Sequence, residues 1–311
     1  MHDTLTAGRA FLEREGRLVE RRLAAALFDG GPPTAVVDAL RGYRNPDGGF
    51  GHGLEPDKRC PDSLPIDVEA AFDILLTAGP EAVAEARPLV LGACDWLAGV
   101  AAPDGAVPLS FPVIESHPRA EHWSDWTYTP GLNPTAGLAG RLHRMGVAHP
   151  WLDRATDWCW ARLEPGGMGG VPPTTAAGAA TDSFDEDAHA LREVSVFLAR
   201  VPDRARAGAV GAEIGGWLAK APWYRADPDD PSYGVTPLDF APEPDGPWSH
   251  LFDAALIGGH LDRLLADQQP DGGWAITWEP PGTASTLEWR GIQTLWALRV
   301  LRAYGRLGSD G

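Results

Sequence analysis

Apolar residues recur every three or four positions through most of the chain, and clusters of Gly, Pro and Asp separate the stretches that show this spacing. That period is typical of an amphipathic α-helix. Stretches with strand-like alternation are confined to short extended pieces in the turns. The pattern therefore predicts an all-α fold. We expect helices at residues 4–28, 33–44, 65–78, 84–99, 131–145, 149–162, 182–200, 203–220, 247–257, 258–269 and 286–305.

Two similar strings interrupt the helical pattern, "YRNPDGGFGHGLEPD" at 43–57 and "DQQPDGGWAITWEPP" at 267–281. Weaker echoes stand at 100–111, 163–173 and 230–240. Gly-Gly after Pro-Asp supplies the positive φ that ends a helix, and the Asp side chain stabilises the turn. A repeat of this kind indicates stacked helix pairs, in which each turn joins an outer helix to an inner one.

The alternation of outer and inner helices predicts a closed architecture. Six inner helices, with outer helices between them, suffice to close a single α/α toroid around a central cavity, with long loops at one end. No Ser/Gly-rich or Pro-rich seam divides the chain, so we predict one domain over 1–311. The expected inner helices are 4–28, 65–78, 131–145, 182–200, 247–257 and 286–305.

Composition narrows the class of protein. The chain has 311 residues, 22% charged, and lacks both a long apolar run and a signal peptide, so we predict a cytoplasmic protein without a transmembrane segment. A net charge of −17 argues against nucleic acids and anionic membranes as partners. We therefore expect a small-molecule substrate, and the oligomeric state stays open. Cys60, Cys94 and Cys159 fit neither a disulfide framework nor a zinc motif and are interpreted as buried thiols.

The string "QQPDGGWAITW" resembles the QW repeat of the squalene–hopene cyclase and protein prenyltransferase superfamily, and "RNPDGGFG" is similar to a variant of it. The resemblance implies a terpenoid cyclase-like α/α toroid. It also implies that the glutamine caps a helix and stacks on an aromatic residue of a neighbouring repeat. Gln268, Asp271 and Trp274 are therefore expected to be structural clamps.

In such a toroid the inner helices begin at one end of the cavity, where their free N–H groups favour anions and carbonyl-type groups. The residues at these helix starts are predicted to bind substrate: Asp67, Glu69, Asn133, Trp248, His250, Glu288, Trp289 and Arg290. Two loops rich in polar and aromatic residues are predicted to form a lid or cavity wall. They contribute His52 and Glu55, beside Asp57, and Trp123, Trp126 and Tyr128, beside His122.

The segment "TDSFDEDAHALREV" at 181–194 starts a further inner helix. Asp187 stands at the head of an apolar stripe, where partial desolvation would raise its pKa toward that of a general acid. Asp185 and His189 are four residues apart and can hydrogen-bond. "FDEDAHAL" also resembles the Asp-x-Asp-Asp motif of class II terpene cyclases, with Ala188 in the last place. The resemblance implies that Asp187 is the protonating acid. Stabilisation of a helix start by acidic residues is the competing explanation.

Three functions remain open. The first is a terpene cyclase- or isomerase-like enzyme that protonates an isoprenoid-type substrate in an aromatic-lined cavity. The second is a carbohydrate-acting enzyme, a glycosidase, lyase or epimerase, that uses paired carboxylates. The third is a non-catalytic toroid that binds a small molecule. A dry, aromatic cavity wall would favour the first, and a wet, acidic wall the second.

Metal sites are sparse in the sequence. The prenyltransferase branch holds zinc by Asp, Cys and His, yet no cysteine of this chain follows an Asp by two residues in a suitable loop. A diphosphate site with magnesium needs several Lys or Arg beside the carboxylates, and only Lys58, Arg59 and Arg290 are candidates. We predict no cofactor, and magnesium is the one ion that the carboxylates leave open.

Overall fold

The computed structural model describes residues 3–124, 126–163 and 187–307. These residues form α-helices joined by loops, with isolated bridges as the only strand-like pairing in the described ranges. The predicted all-α fold is confirmed. The α-helices are α1 Thr4–Glu15, α2 Leu18–Phe28, α3 Thr34–Leu40, α4 Pro65–Ala78, α5 Pro80–Glu85, α6 Arg87–Val100, α7 Leu132–Met145, α8 Pro150–Leu163, α9 Ala188–Arg200, α10 Arg204–Gly211, α11 Ile214–Leu218, α12 Pro237–Phe240, α13 Ala254–Ala266 and α14 Thr283–Ala303. Short 3-10 helices are Arg41–Tyr43, Pro112–Ser116, Glu121–Trp123 and Ser249–Leu251. No helix in the described ranges is both long and apolar enough to cross a bilayer.

Aspartate side chains fix the starts of several helices. Asp3, Asp187 and Asp253 accept hydrogen bonds from backbone N–H groups in the first turns of α1, α9 and α13. Each such cap is worth about 1 kcal/mol, because it satisfies a donor that the helix itself cannot. At the other end, α4 stops at Gly79 and α7 at Gly146, whose φ angles are 103° and 65°. The sequence therefore sets these boundaries locally.

Several predicted helices were wrong in extent. The stretch 4–28 is two helices, because Gly16 is extended (φ −68°, ψ 147°) and ends α1. Similarly, 84–99 divides into α5 and α6, and 203–220 divides into α10 and α11. The expected inner helix 247–257 is divided between the 3-10 helix Ser249–Leu251 and the start of α13, which Asp253 caps.

Helices α4, α7 and α9 pack together in the core of the molecule. Gly140 of α7 permits a close approach to α9, because a Cβ atom there would lie 2.6 Å from the backbone N of Phe197. Apolar side chains such as Leu138, Leu142 and Val194 are fully buried around this contact. Helices α4, α7 and α9 therefore form a tightly packed part of the core.

The two copies of the glycine turn have the same internal hydrogen bonds. Asp47 Oδ1 accepts from Gly49 N at 2.9 Å in the first copy, and Asp271 Oδ1 accepts from Gly273 N at 3.1 Å in the second. A single antiparallel bridge closes each turn, Arg44 to Phe50 and Gln268 to Trp274. The repeated string thus encodes a repeated structure.

The second turn holds the first and last helices together. Gly272 has a φ of 93°, and a Cβ atom there would lie 2.2 Å from the carbonyl oxygen of Ala7 in α1. Gln268 Nε2 donates to the carbonyl oxygen of Thr4 at 2.9 Å. Arg290 of α14 donates to both carboxylate oxygens of Asp271, at 2.8 and 2.9 Å. Gln268 and Asp271 therefore join the turn to α1 and α14, while stacking of Gln268 on an aromatic residue stays a prediction.

We expect Gly272→Ala to lower the free energy of unfolding more than Gly79→Ala. Both glycines have positive φ, 93° and 103°, a backbone region that costs a non-glycine residue about 1–3 kcal/mol. Only at Gly272 must the added methyl also displace a backbone carbonyl, because the space around Gly79 is open. Urea unfolding of both variants, with Gly42→Ala as a background control, measures the difference. Equal losses would contradict tight packing of this turn on α1.

Candidate functional site

Polar and aromatic side chains from four loops and three helices meet in one contiguous group. Hydrogen bonds, ion pairs or ring contacts link all its members. We call this group the Asp57 cluster. Its members are Glu55, Asp57, Lys58, Asp67, His122, Trp123, His189, Tyr233, Trp278 and Trp289.

The carboxyl group of Asp57 is at the centre of this cluster and is 5% exposed. Its Oδ1 accepts hydrogen bonds from the indole N–H groups of Trp278 at 3.1 Å and Trp289 at 2.7 Å. Burial, followed by the negative charge of Glu55, raises the pKa of Asp57 to about 7. The group is therefore partly protonated at neutral pH, as a general acid must be.

His122 lies at the open edge of the cluster. Its Nε2 is 3.5 Å from Oδ2 of Asp57, and its side chain is 49% exposed. Burial of the rest of the ring lowers the pKa of His122, so the imidazole is neutral at neutral pH. A neutral imidazole can accept a proton. Asp57 and His122 thus place a partly protonated, buried acid beside a base that solvent can reach.

A buried ion group holds the Asp57 loop in place. Lys58 is fully buried, forms an ion pair with Glu55, and lies 5.2 Å from the ring centroid of Trp123. Asp67, at the start of α4, accepts from the backbone N of Glu55 at 2.8 Å, while its Oδ2 is buried without a hydrogen bond. Burial raises the pKa of Asp67 to about 6. The burial of Lys58 also opposes its charge, but Glu55 and Asp67 outweigh this effect and raise its pKa.

Aromatic rings form one wall of the Asp57 cluster. Trp278 and Trp289 meet edge to face with centroids 4.9 Å apart, and Tyr233 contacts Trp278 at 5.6 Å. His189, near the start of α9, stacks on Tyr233 at 5.4 Å. Its Nε2 is buried without a hydrogen bond, and burial lowers its pKa. The wall is therefore aromatic but interrupted by titratable groups.

The structure brings several of the predicted site residues together. Members of the Asp57 cluster among them are Glu55, Asp67, Trp123, His189 and Trp289. Two others are adjacent: Trp126 contacts Trp123 with ring centroids 4.7 Å apart, and Glu288 pairs with Arg59 at 2.9 Å. Asp67 and His189 thus lie in the first turns of α4 and α9, whereas Trp289 is the seventh residue of α14. That helix starts carry a functional site stays a prediction.

Glu69 lies in a separate ion cluster inside the core. Arg141, itself buried, donates to Glu69 at 3.0 Å, to Glu193 at 2.5 Å and to Asp73 at 2.7 Å. Gly137 leaves room for these charges, because a Cβ atom there would be 2.4 Å from Glu69 Oε1. Burial, then the charge of Glu193, raises the pKa of Glu69. Its contacts are those of a structural group.

The other residues that the sequence predicted to bind substrate have partners outside the Asp57 cluster. Trp248 donates to the carbonyl oxygen of Ser195 at 3.0 Å, and exposed His250 contacts its ring. Tyr128 donates to Glu115 at 3.0 Å, and His52 hydrogen-bonds Asn45 at 2.9 Å. Arg290 forms the Asp271 clamp, and Asn133 precedes a cis peptide bond at the start of α7. Substrate binding by these residues stays a prediction.

The acid predicted from the sequence has a capping role in the structure. Asp187 Oδ1 accepts from the backbone N of Ala190 at 2.9 Å and begins α9. Asp185 lies outside the described residues. Protonation by Asp187, with support from Asp185 and His189, stays a prediction.

Sequence reasoning missed the central members of the cluster. Asp57 and His122 stand in the two loops that the sequence marked as polar and aromatic, but neither was selected. Trp278 was visible as the second tryptophan of "WAITW", and Tyr233 stands in the weakest echo of the repeat. No local pattern distinguishes Lys58 from a surface lysine.

A second group of polar side chains has the composition of a metal site. The ligand atoms of Cys60, Asp62 and His117 all lie within 4.8 Å of one another. The expectation that no cysteine fits a zinc motif overlooked this group, because His117 is distant in sequence. The order Cys-x-Asp also differs from the Asp-x-Cys order sought from the prenyltransferase branch.

Comparisons with models of protein families and with curated proteins gave no match. The crystal structure of a protein from Actinoplanes is similar to this chain, with a TM-score of 0.52 and 16% sequence identity. The similarity covers 97% of this chain and 98% of the other. At this identity it concerns the fold alone.

We expect Asp57→Asn to stabilise the protein relative to wild type as the pH rises from 5 to 8. A carboxyl whose folded pKa is about 7, against 3.8 ordinarily, favours folding when protonated and loses that contribution as pH rises through 7. Asparagine keeps an acceptor for the indoles and never ionises. One pKa unit corresponds to about 1.4 kcal/mol, so the relative gain should reach a few kcal/mol. Thermal unfolding across this pH range tests it.

Asp245→Asn is the control, because Asp245 is exposed. Its difference from wild type should not grow with pH. A pH-independent difference for Asp57→Asn would show that the carboxyl ionises normally.

Proposed function

We propose that the chain is an α/α toroid whose inner helix starts surround the Asp57 cluster, and that it is a general acid–base enzyme acting on a carbohydrate-type substrate. Packing of α1 against α14 supports ring closure, since it joins the two ends of the helix series. The resemblance to the squalene–hopene cyclase and protein prenyltransferase superfamily supports the same architecture.

The pairing of Asp57 with His122 carries the proposal. A carboxyl group with a pKa of about 7 is matched to neutral pH, where it can both give and regain a proton. His122 is within 3.5 Å and accepts a proton in its neutral form. Because His122 is half exposed, a substrate can reach this pair from solvent. The pair can therefore act at a bond or C–H group of a bound molecule.

The side chains in and beside the Asp57 cluster favour a sugar as the substrate. Arg59 and Glu288 form a partly exposed ion pair beside the indole rings, and Glu55 adds a second carboxylate. Sugar rings stack on aromatic faces while their hydroxyl groups hydrogen-bond to charged side chains. An isoprenoid chain offers these polar groups no hydrogen-bond partner, so contact with it would cost them hydration. Among carbohydrate-acting enzymes, a glycosidase, a lyase and an epimerase all need such an acid and base.

A terpene cyclase- or isomerase-like enzyme is the second candidate. The aromatic wall favours it, because the faces of Trp278 and Trp289 can stabilise a cationic intermediate. In this alternative too, we place the acid at Asp57. Oδ1 of Asp187 is already bonded to the backbone of α9. Asp57 combines a raised pKa with an open edge beside His122.

Incubation of the protein with neutral and uronate-containing sugars in D₂O, followed by NMR, tests the proposal. We expect bond cleavage or solvent deuterium in the product. Asp57→Asn should lower turnover by about 10²- to 10⁴-fold, the contribution typical of a general acid, and Asp245→Asn should not. Asp187→Asn separates the two acids, because it should affect stability more than turnover.

A second experiment incubates the protein with linear polyprenoids and analyses the products by gas chromatography. Cyclised products that require Asp57 would assign the terpenoid reaction instead. Full activity of Asp57→Asn on either substrate class would reject Asp57 as the acid. Sugar binding without turnover would favour the non-catalytic toroid.

A further inference from the structure

We propose that Cys60, Asp62 and His117 bind a zinc ion that fastens the loop carrying Asp57 to the loop carrying His122. The inference does not depend on the reaction catalysed.

The loops run antiparallel over a short distance. Arg59 N donates to the carbonyl oxygen of Pro118 at 2.8 Å, and Ala120 N donates to that of Asp57 at 2.8 Å. A bridge pairs Lys58 with Arg119 between these hydrogen bonds. This pairing brings Cys60 and His117 to the same end of the two segments, although they are far apart in sequence.

The three side chains present their ligand atoms to one point. Cys60 Sγ lies 3.6 Å from Asp62 Oδ2, and His117 Nε2 lies 4.0 Å from the same oxygen. Neighbouring ligands of a tetrahedral zinc ion are separated by about 3.5 Å, as follows from zinc–ligand bonds of 2.0–2.3 Å. A small closure of the His117 ring therefore completes the arrangement.

The donor set selects zinc among the common cations. A thiolate and an imidazole are ligands that zinc prefers, whereas magnesium and calcium take oxygen donors. Three protein ligands leave the fourth position to a water molecule. Cys60 binds as the thiolate, so its proton is released to solvent when the ion enters. Asp62 and His117 are partly exposed and provide the route of entry.

Burial distinguishes Cys60 from an incidental surface thiol. Its side chain is almost fully buried, while Asp62 and His117 reach it from the solvent side. In the described residues, Cys94 and Cys159 are also buried, but neither belongs to such a ligand group. The chain therefore provides matched thiols for comparison.

The functional consequence concerns the geometry of the site. Asp57 is three residues before Cys60, and His122 is five residues after His117. An ion bound at these ligands would limit the sliding of one loop against the other. It would thus hold the separation between Asp57 and His122.

Metal binding is tested on the full chain after removal of bound metal with a chelator. Titration with Co²⁺ should give one equivalent and a thiolate-to-cobalt absorption band, and Zn²⁺ should displace it. Cys60→Ser should abolish the band, and His117→Ala should weaken binding at least tenfold. Cys94→Ala should behave as wild type. Absence of the band, or unchanged Zn²⁺ binding by Cys60→Ser, would overturn the proposed site.

Amide hydrogen exchange tests whether the ion fastens the loop carrying Asp57 to the loop carrying His122. Zn²⁺ should slow exchange at residues 57–62 and 115–122 in the wild type and in Cys94→Ala, but not in Cys60→Ser. Cobalt binding through the thiolate with unchanged exchange in these segments would overturn the fastening role. Neither readout uses catalysis, so failure here leaves the proposed enzyme reaction to its own test.

Discussion

Burial of the Lys58 amino group is the constraint on which the candidate site depends. A cation removed from water needs opposite charges within reach, or folding pays several kcal/mol to desolvate it. Glu55 and Asp67 supply these charges, and Trp123 adds the face of its ring. The partners come from a loop, a helix start and a second loop, so satisfying Lys58 fixes all three. Asp57, next to Lys58 in the chain, is fixed with them.

The nature of each carboxylate's partners then decides its chemistry. The donors to Asp57 are neutral indoles, whose effect is smaller than that of burial and the charge of Glu55, so its pKa rises to about 7. Glu193 is also buried, but the guanidinium groups of Arg141 and Arg192 outweigh that burial and lower its pKa to about 2. Comparable burial thus gives a titratable acid in one place and a permanent anion in the other.

The sequence predicted what depends on local physics. Helical periodicity and glycine turns gave the all-α fold, and helix starts pointed to Asp67 and Trp289. Glu69 follows Asp67 by two residues, and a rotation of about 200° along the helix turns it into the core instead of the site. The bond from Trp289 to Asp57 joins residues 232 positions apart, and no local pattern encodes it. Such long-range contacts set the paths of the loops, and the periodicity of the sequence cannot predict them.

The two indole donors also bear on how the proposed acid works. A hydrogen bond to an anion is stronger than one to a neutral carboxyl, so the bonds from Trp278 and Trp289 tighten when Asp57 gives up its proton. Loss of the proton therefore needs no rearrangement of the wall. His122, half exposed, can exchange protons with solvent and restore the acid. A carboxyl paired with arginine would be too weak a base to regain its proton at neutral pH. Tryptophan is the partner that keeps Asp57 both ordered and titratable.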